Sequence, residues 1–120
     1  GKTKGRIDRI MEKQINPNDA IDFIIKHGNE FAVAKSQRVY IEQYIKVVKA
    51  KLMNDCGNMP STKAEAYALA HPDFKLQIDG LKVAVEKEET LKWHLEAARL
   101  RVEVYRTMEA SNRQQDRATR

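Results

Sequence analysis

The sequence is poor in the residues that build disulfide-linked, turn-rich or membrane-spanning proteins. Its 120 residues include one cysteine, which excludes an internal disulfide and fits a reducing compartment. Five glycines and three prolines are few for a sandwich or barrel. No apolar run approaches the roughly 20 residues of a membrane span, and residues 1–16 lack the apolar core of a secretory signal. These absences predict a cytoplasmic protein without a membrane partner.

Patterns for catalysis and for metal binding are also missing. His27, His71 and His94 lie far apart and belong to neither H-E-x-x-H nor a cysteine-pair pattern. Cys56 has no activating base nearby in the sequence, which favours an inert loop thiol. The opening residues GKTKG lack the spacing of a phosphate-binding loop and any strand before it. We therefore predict that the chain is not an enzyme and uses no cofactor or metal.

An acidic cluster on the second half of the chain has two interpretations. Glu86, Glu88 and Glu89 offer paired carboxylates for acid–base chemistry or a cation. Glu88 precedes Lys92 by four residues, and Lys82 precedes Glu86 by four, a spacing that forms ion pairs along a helix. The spacing favours a solvated, salt-bridged helix face.

What the sequence does contain is helical periodicity. Hydrophobic residues make up 42% and charged residues 32%, and the apolar ones recur at helical spacing. The pattern predicts an all-α fold, a long antiparallel helical hairpin resembling a coiled coil, with a short N-terminal helix. The predicted segments are a basic amphipathic segment at residues 1–16, the hairpin at 17–112 and a polar, frayed tail at 113–120.

Helix ends are marked by capping residues. Asn16-Pro17 begins a long helix that runs to about Asn54, where Gly57 and Pro60 stop it. Thr62 and Glu65 form a predicted capping box for a short helix that breaks at His71-Pro72. The last helix runs from there to about residue 112.

Each long helix carries two apolar seams. The main seam of the first helix is Phe31, Ala34, Arg38, Ile41, Ile45, Val48 and Leu52, and its second seam is Val33, Tyr40, Tyr44 and Val47. The main seam of the last helix begins with Phe74, Ile78, Leu81, Val85 and Glu88. After a stutter-like slip in the repeat it continues with Leu91, Leu95, Ala98, Val102 and Tyr105. The second seam of this helix is Trp93, Ala97, Leu100 and Val104. A two-helix hairpin buries one face of each helix, so the second seams predict a homo-oligomer. A monomeric three-helix bundle is the alternative.

A basic stretch on the first long helix predicts a nucleic-acid interface. The net charge of the chain is +5, which favours polyanionic partners or serves solubility alone. The candidate binding residues are Lys35, Arg38, Lys46, Lys49 and Lys51. Cations neutralise phosphates and the interleaved Tyr40 and Tyr44 suit stacking on unpaired bases, although tyrosines at this spacing also suit a core. Arg38, on an apolar seam, either contacts phosphate or pairs with a carboxylate across an interface.

Part of this stretch resembles a known family. Lys46-Val47-Val48-Lys49-Ala50-Lys51-Leu52, followed by Gly57, is similar to the signature of the UvsY recombination mediators of T-even-type phages. That family has a basic helix ending in Lys-Ala-Arg-Leu before a glycine-containing turn, and Lys51 stands where the family has Arg. Lys63-Ala64-Glu65 and Leu91-Lys92-Trp93 follow in similar order, while the turn and the His71-Pro72 break depart from the family. The chain also resembles small helical proteins of phage early regions.

The resemblance implies an accessory role in recombination in the host-cell cytoplasm. Such mediators bind single-stranded DNA as ring-like oligomers and help a recombinase displace single-strand-binding protein. By position, Lys49 and Lys51 would contact phosphate, and the C-terminal helix would assemble the oligomer. The predicted interface residues are Trp93, Leu95, Leu100, Val102 and Val104. A protein-interaction adaptor or inhibitor without nucleic-acid affinity, or a structural assembly protein, remains the alternative.

Overall fold

The computed structural model of the chain describes residues 16–119, and these residues form three helices without a strand. Residues 31–90 form one compact unit, and the described residues 16–30 and 91–119 form another. The all-α prediction is confirmed for this part of the chain. The predicted N-terminal amphipathic helix lies outside the described residues. The hairpin arrangement and the homo-oligomer stay predictions.

Helix α1 spans Pro17–Asn54 and begins where the capping residues predict. The side-chain Oδ1 of Asn16 accepts hydrogen bonds from the backbone N–H groups of Asn18, at 2.9 Å, and Asp19, at 3.4 Å. These bonds satisfy donors that the first helical turn leaves without a partner. Asp19 adds a negative charge at the positive end of the helix.

The connection after α1 turns at Gly57. Its φ of 64° lies in the left-handed region, which glycine adopts without the steric cost that a side chain brings. Its backbone N–H donates to the carbonyl oxygen of Asn54 at 3.3 Å. The predicted glycine stop is therefore confirmed.

Helix α2 spans Ser61–Ala70, and its start differs from the prediction. The capping residue is Pro60, and no side chain caps the helix. The predicted Thr62–Glu65 capping box is therefore wrong. The carboxylate of Glu65 instead accepts a hydrogen bond from Nζ of Lys49 at 3.0 Å, so the side chain reaches α1 instead of its own helix start.

The break at His71-Pro72 is confirmed, and His71 caps the helix that follows. The backbone of His71 is extended, which is the conformation that a following proline favours. The backbone N–H of Asp73 donates to Nδ1 of His71 at 3.0 Å. Helix α3 then spans Pro72–Thr119 and continues past the predicted end at Asn112.

One unbroken seven-residue repeat runs along α3. Its least exposed positions include Phe74, Gln77, Leu81, Ala84, Glu88, Leu91, Leu95, Ala98, Val102 and Tyr105. The steps alternate between three and four throughout, so the predicted stutter is wrong. The larger apolar residues Ile78 and Val85, which were expected on the seam, are exposed, whereas their neighbours Gln77 and Ala84 are half-buried.

The main seam predicted for α1 is confirmed. Ala34 and Leu52 are buried, and the seam residues between them are half-buried. In the second unit, Phe23 of α1 contacts His94 of α3 edge-on, with ring centroids 6.4 Å apart. Ala98 is fully buried on the same face of α3. Among residues 16–119, no helix has an apolar stretch long enough to cross a bilayer.

Candidate nucleic-acid interface

Arg38, a predicted phosphate ligand, lies instead at the centre of an ion cluster inside the 31–90 unit. Its Nε and Nη2 donate to the two carboxylate oxygens of Glu88 on α3, the latter at 3.1 Å. Its Nη1 donates to Glu42, one turn further along α1, at 2.8 Å. The two parallel bonds to Glu88 match the planar fork of a guanidinium, which makes this a bidentate pair.

This cluster neutralises Arg38 and explains the position of Glu88. The hydrogen bonds that Arg38 donates to Glu88 and Glu42 raise the pKa of Arg38, so its guanidinium stays charged. Glu88 is only 7% exposed, and the prediction that it lies on a solvated face is wrong. A carboxylate this buried requires a charged partner, because desolvation without one is costly. Arg38 therefore contributes to packing between helices and adds little free positive charge to the surface.

Lys49 is also engaged within the unit. Its Nζ lies 3.0 Å from Glu65 of α2, and both side chains remain partly exposed to solvent. An exposed pair of this kind contributes little stability because water competes for both charges. It nevertheless offsets the charge of one of the two lysines that the family resemblance places on phosphate.

Lys35, Lys46 and Lys51 are exposed, but they do not share one face of α1. At about 100° per residue, Lys46 lies about 20° from Lys35 around the helix axis, and Lys51 lies about 160° from Lys35. None of the three forms an ion pair with another residue in the 16–119 range. Lys35 and Lys46 therefore lie on one side of α1 and Lys51 on the other, and the packed seam lies between these two sides.

The predicted second seam of α1 forms an exposed aromatic face beside Lys51. Tyr40 is 63% exposed, and its ring lies nearly parallel to that of Tyr44, with an interplanar angle of 8° and centroids 5.9 Å apart. Val33 and Val47 are exposed on the same face. This face is apolar and aromatic, with a basic residue at one end, and the packing of residues 31–90 leaves it exposed except at Tyr44, which is half-buried.

The residues predicted for an oligomer interface divide into two groups. Leu95 and Val102 are half-buried and lie on the main seam of α3. Trp93, Leu100 and Val104 are exposed, with Trp93 at 62%. Only the second group is accessible to a partner, so a substitution at Leu95 or Val102 would disturb packing within the unit first.

Other charged groups form pairs along their own helices. Arg99 donates to Glu96 at 2.5 Å and to Glu103 at 2.6 Å, which lowers the pKa of the Glu96 carboxyl through the hydrogen bond from Arg99. Within residues 16–119, no group of three or more histidine, cysteine or acidic residues is placed to hold a metal ion.

Comparison with protein-family models, curated proteins and solved structures finds no significant match to this chain. The likeness to the UvsY mediators therefore depends on the sequence stretches quoted above and stays a prediction.

Sequence reasoning missed the structural roles of Glu88 and Glu65. A signal for Glu88 was present, because Arg38 and Glu88 each interrupt an otherwise apolar seam. Opposite charges on two core seams indicate a buried ion pair between helices. Glu65 gave no such signal, because its spacing from Thr62 matched a capping box equally well.

Proposed function

We propose that this chain is a helical accessory protein that binds single-stranded nucleic acid along the outer surface of α1. The proposal is carried by the exposed ring of Tyr40, which is parallel to that of the half-buried Tyr44, with Lys51 exposed on the same face. Stacking of unpaired bases on aromatic rings contributes about 1–3 kcal/mol per base and tolerates any sequence. Duplex DNA keeps its bases stacked on each other, so this surface favours single strands.

Phosphate contacts come from the exposed lysines in this proposal. Lys51 shares the tyrosine face, whereas Lys35 and Lys46 lie on the far side of α1, so a strand contacts all three lysines only if it wraps around the helix. The logarithm of the affinity should fall with the logarithm of salt concentration, with a slope of about −0.7 if Lys51 alone contacts phosphate and about −2 if all three lysines do. A larger slope would require cations from other helices or other copies of the chain.

The first test is fluorescence anisotropy of labelled single-stranded and duplex oligonucleotides at several salt concentrations. Replacing Lys46 and Lys51 with Glu should weaken single-strand binding and flatten the salt dependence. The matched control replaces Lys82 and Lys87, exposed lysines of α3, with Glu and makes the same change in net charge. Equal losses in both double variants would indicate a general charge effect and contradict a site on α1.

A second test isolates the stacking contribution. Tyr40→Ala should weaken single-strand binding by roughly tenfold, whereas Tyr40→Phe keeps the ring and should bind like the parent. Tyr67→Ala removes an exposed tyrosine from α2, 45% exposed, and serves as the control. If Tyr40→Ala binds as tightly as the parent, base stacking on this face is excluded.

If the protein binds single strands, the next test concerns the mediator-like role that the sequence suggests. In that role the protein helps a recombinase to replace single-strand-binding protein on DNA. The assay is the rate of recombinase filament assembly on DNA coated with single-strand-binding protein, with and without this protein. Lys46 and Lys51 replaced by Glu should remove any acceleration.

A protein-interaction adaptor is the second candidate, and exposed apolar side chains favour it. Ile25 is 74% exposed, Leu76 67% and Val83 66%. Large apolar side chains that protrude this far are typical of surfaces that bind another protein. Absence of binding to either oligonucleotide at low salt would place the adaptor function first.

A further inference from the structure

The outer side of α3 in the 91–119 segment carries an apolar stripe that its own unit leaves open. Trp93, Leu100 and Val104 are 62%, 48% and 47% exposed, and Ala97 between them is half-buried. The steps of four, three and four residues match the seam of a coiled coil. The stripe extends about 16 Å along the helix, at 1.5 Å per residue.

The two edges of this stripe carry different charges. Glu96 and Glu103, which both accept hydrogen bonds from Arg99, lie along one edge, and the cation Arg101 lies along the other with His94, whose ring contacts Phe23 of α1. A second copy of α3 that packs on the stripe in parallel places the acidic edge of each copy against the basic edge of its partner. An antiparallel copy places acid against acid, which is unfavourable.

The spacing of the charged residues agrees with parallel packing in register. In a parallel two-stranded coiled coil, residues at the edges pair with the residue five positions later on the partner, and Arg101 follows Glu96 by five. Glu96 already accepts a hydrogen bond from Arg99 of its own helix. A carboxylate has about four acceptor sites, so a second cation is compatible with this contact.

We infer that the stripe formed by Trp93, Ala97, Leu100 and Val104 binds a second copy of this chain, parallel and in register, with Glu96 of each copy paired to Arg101 of the other. The contact uses neither Tyr40 nor the lysines of α1. It therefore goes beyond single-strand binding and is tested without nucleic acid.

Cysteine cross-linking of the full chain measures whether the two copies of α3 pack parallel or antiparallel. In a Cys56→Ser background, Ala97→Cys and Ser111→Cys introduce thiols at equivalent positions of the seven-residue repeat, one within the stripe and one beyond its C-terminal end, about 21 Å apart along α3. A disulfide requires Cα atoms within about 7 Å. Parallel copies predict that each variant cross-links to itself under mild oxidation and that a mixture gives no cross-link between the two kinds of subunit.

The opposite pattern, cross-links only between Ala97→Cys and Ser111→Cys subunits, would show antiparallel packing and overturn the inference. Arg113→Cys, exposed on the opposite side of α3 from the stripe, measures random collision. Cross-linking of the stripe variants no faster than this control, or a monomer in sedimentation, would overturn it as well, even if the protein binds single strands normally.

Charge exchange tests the ion pair. Arg101→Glu alone should weaken self-association by roughly tenfold, because two favourable contacts per dimer become repulsive. Arg101→Glu combined with Glu96→Arg reverses both edges and should restore the parent's affinity in sedimentation equilibrium. Failure of the double variant to recover would exclude this pairing.

Discussion

The two glycines at positions 57 and 80 allow a direct test of the backbone in the 31–90 unit. An added Cβ meets no atom within 4 Å at either position, so packing does not influence the outcome of replacing either residue with alanine. Gly80 lies within α3, whereas Gly57 has a φ of 64° in the turn after α1. The same substitution should therefore change stability in opposite directions.

The expected magnitudes follow from the two backbone conformations. Gly80→Ala should stabilise the fold by about 1 kcal/mol, which is the difference between these residues in a helix interior. Gly57→Ala forces a side chain into the left-handed region at about 1–2 kcal/mol, partly offset because alanine reduces the entropy of the unfolded chain. We expect a net loss of about 1 kcal/mol there.

Urea denaturation followed by far-UV circular dichroism measures both changes. Gly57→Asn is the control, because asparagine tolerates the left-handed region and should lose less stability than alanine. An unchanged midpoint for Gly57→Ala would show that the turn does not depend on a left-handed residue. A destabilised Gly80→Ala would show that another chain segment packs against that face of α3.

Three further predictions concern the seams and the charges. Ala98→Leu should destabilise the protein by about 1–3 kcal/mol in urea denaturation, because Ala98 is 0% exposed. The control Ala110→Leu, at an exposed position, should not destabilise it. Equal denaturation midpoints for the two variants would contradict the register of the α3 seam. Glu88→Gln should lower the melting temperature, because it removes the negative charge that pairs with the guanidinium of Arg38. A melting temperature equal to the parent's would exclude a stabilising role for this pair. Because Arg99 lowers the pKa of Glu96, their pair stabilises the protein above the ordinary carboxyl pKa and loses this effect as pH falls through the lowered value. In an NMR titration Arg99→Gln should raise the pKa of Glu96, and an unchanged pKa would refute the pair.

The candidate site shows how far residue spacing predicts a surface. Spacing identified the lysines and the Tyr40–Tyr44 pair as neighbours on α1, and the structure keeps the two rings parallel and Tyr40 exposed. Lys35 and Lys51 were also assigned to one binding site because they belong to the same basic stretch, although the helical turn puts them on nearly opposite sides. Linear proximity of charges therefore overstates how many act on one ligand.

Local chemistry by itself determined the helices of this protein. The Asn16 cap, the left-handed Gly57 and the proline after His71 act through the backbone of their own neighbours, so the sequence alone located the start of α1, the turn after it and the break before α3. Local chemistry also explains the all-α class, because apolar residues at helical spacing with few glycines and prolines favour helices over strands and turns.

Contacts between helices decided what the sequence left open. Gln77 and Ala84 take the less exposed positions that Ile78 and Val85 were expected to fill, because one continuous repeat along α3 sets the register for all of its residues. Glu88 is buried because a guanidinium fifty residues away in the sequence pairs with it. The energy of a buried charge depends on groups brought close by folding, so only the tertiary structure could separate this carboxylate from its solvated neighbours.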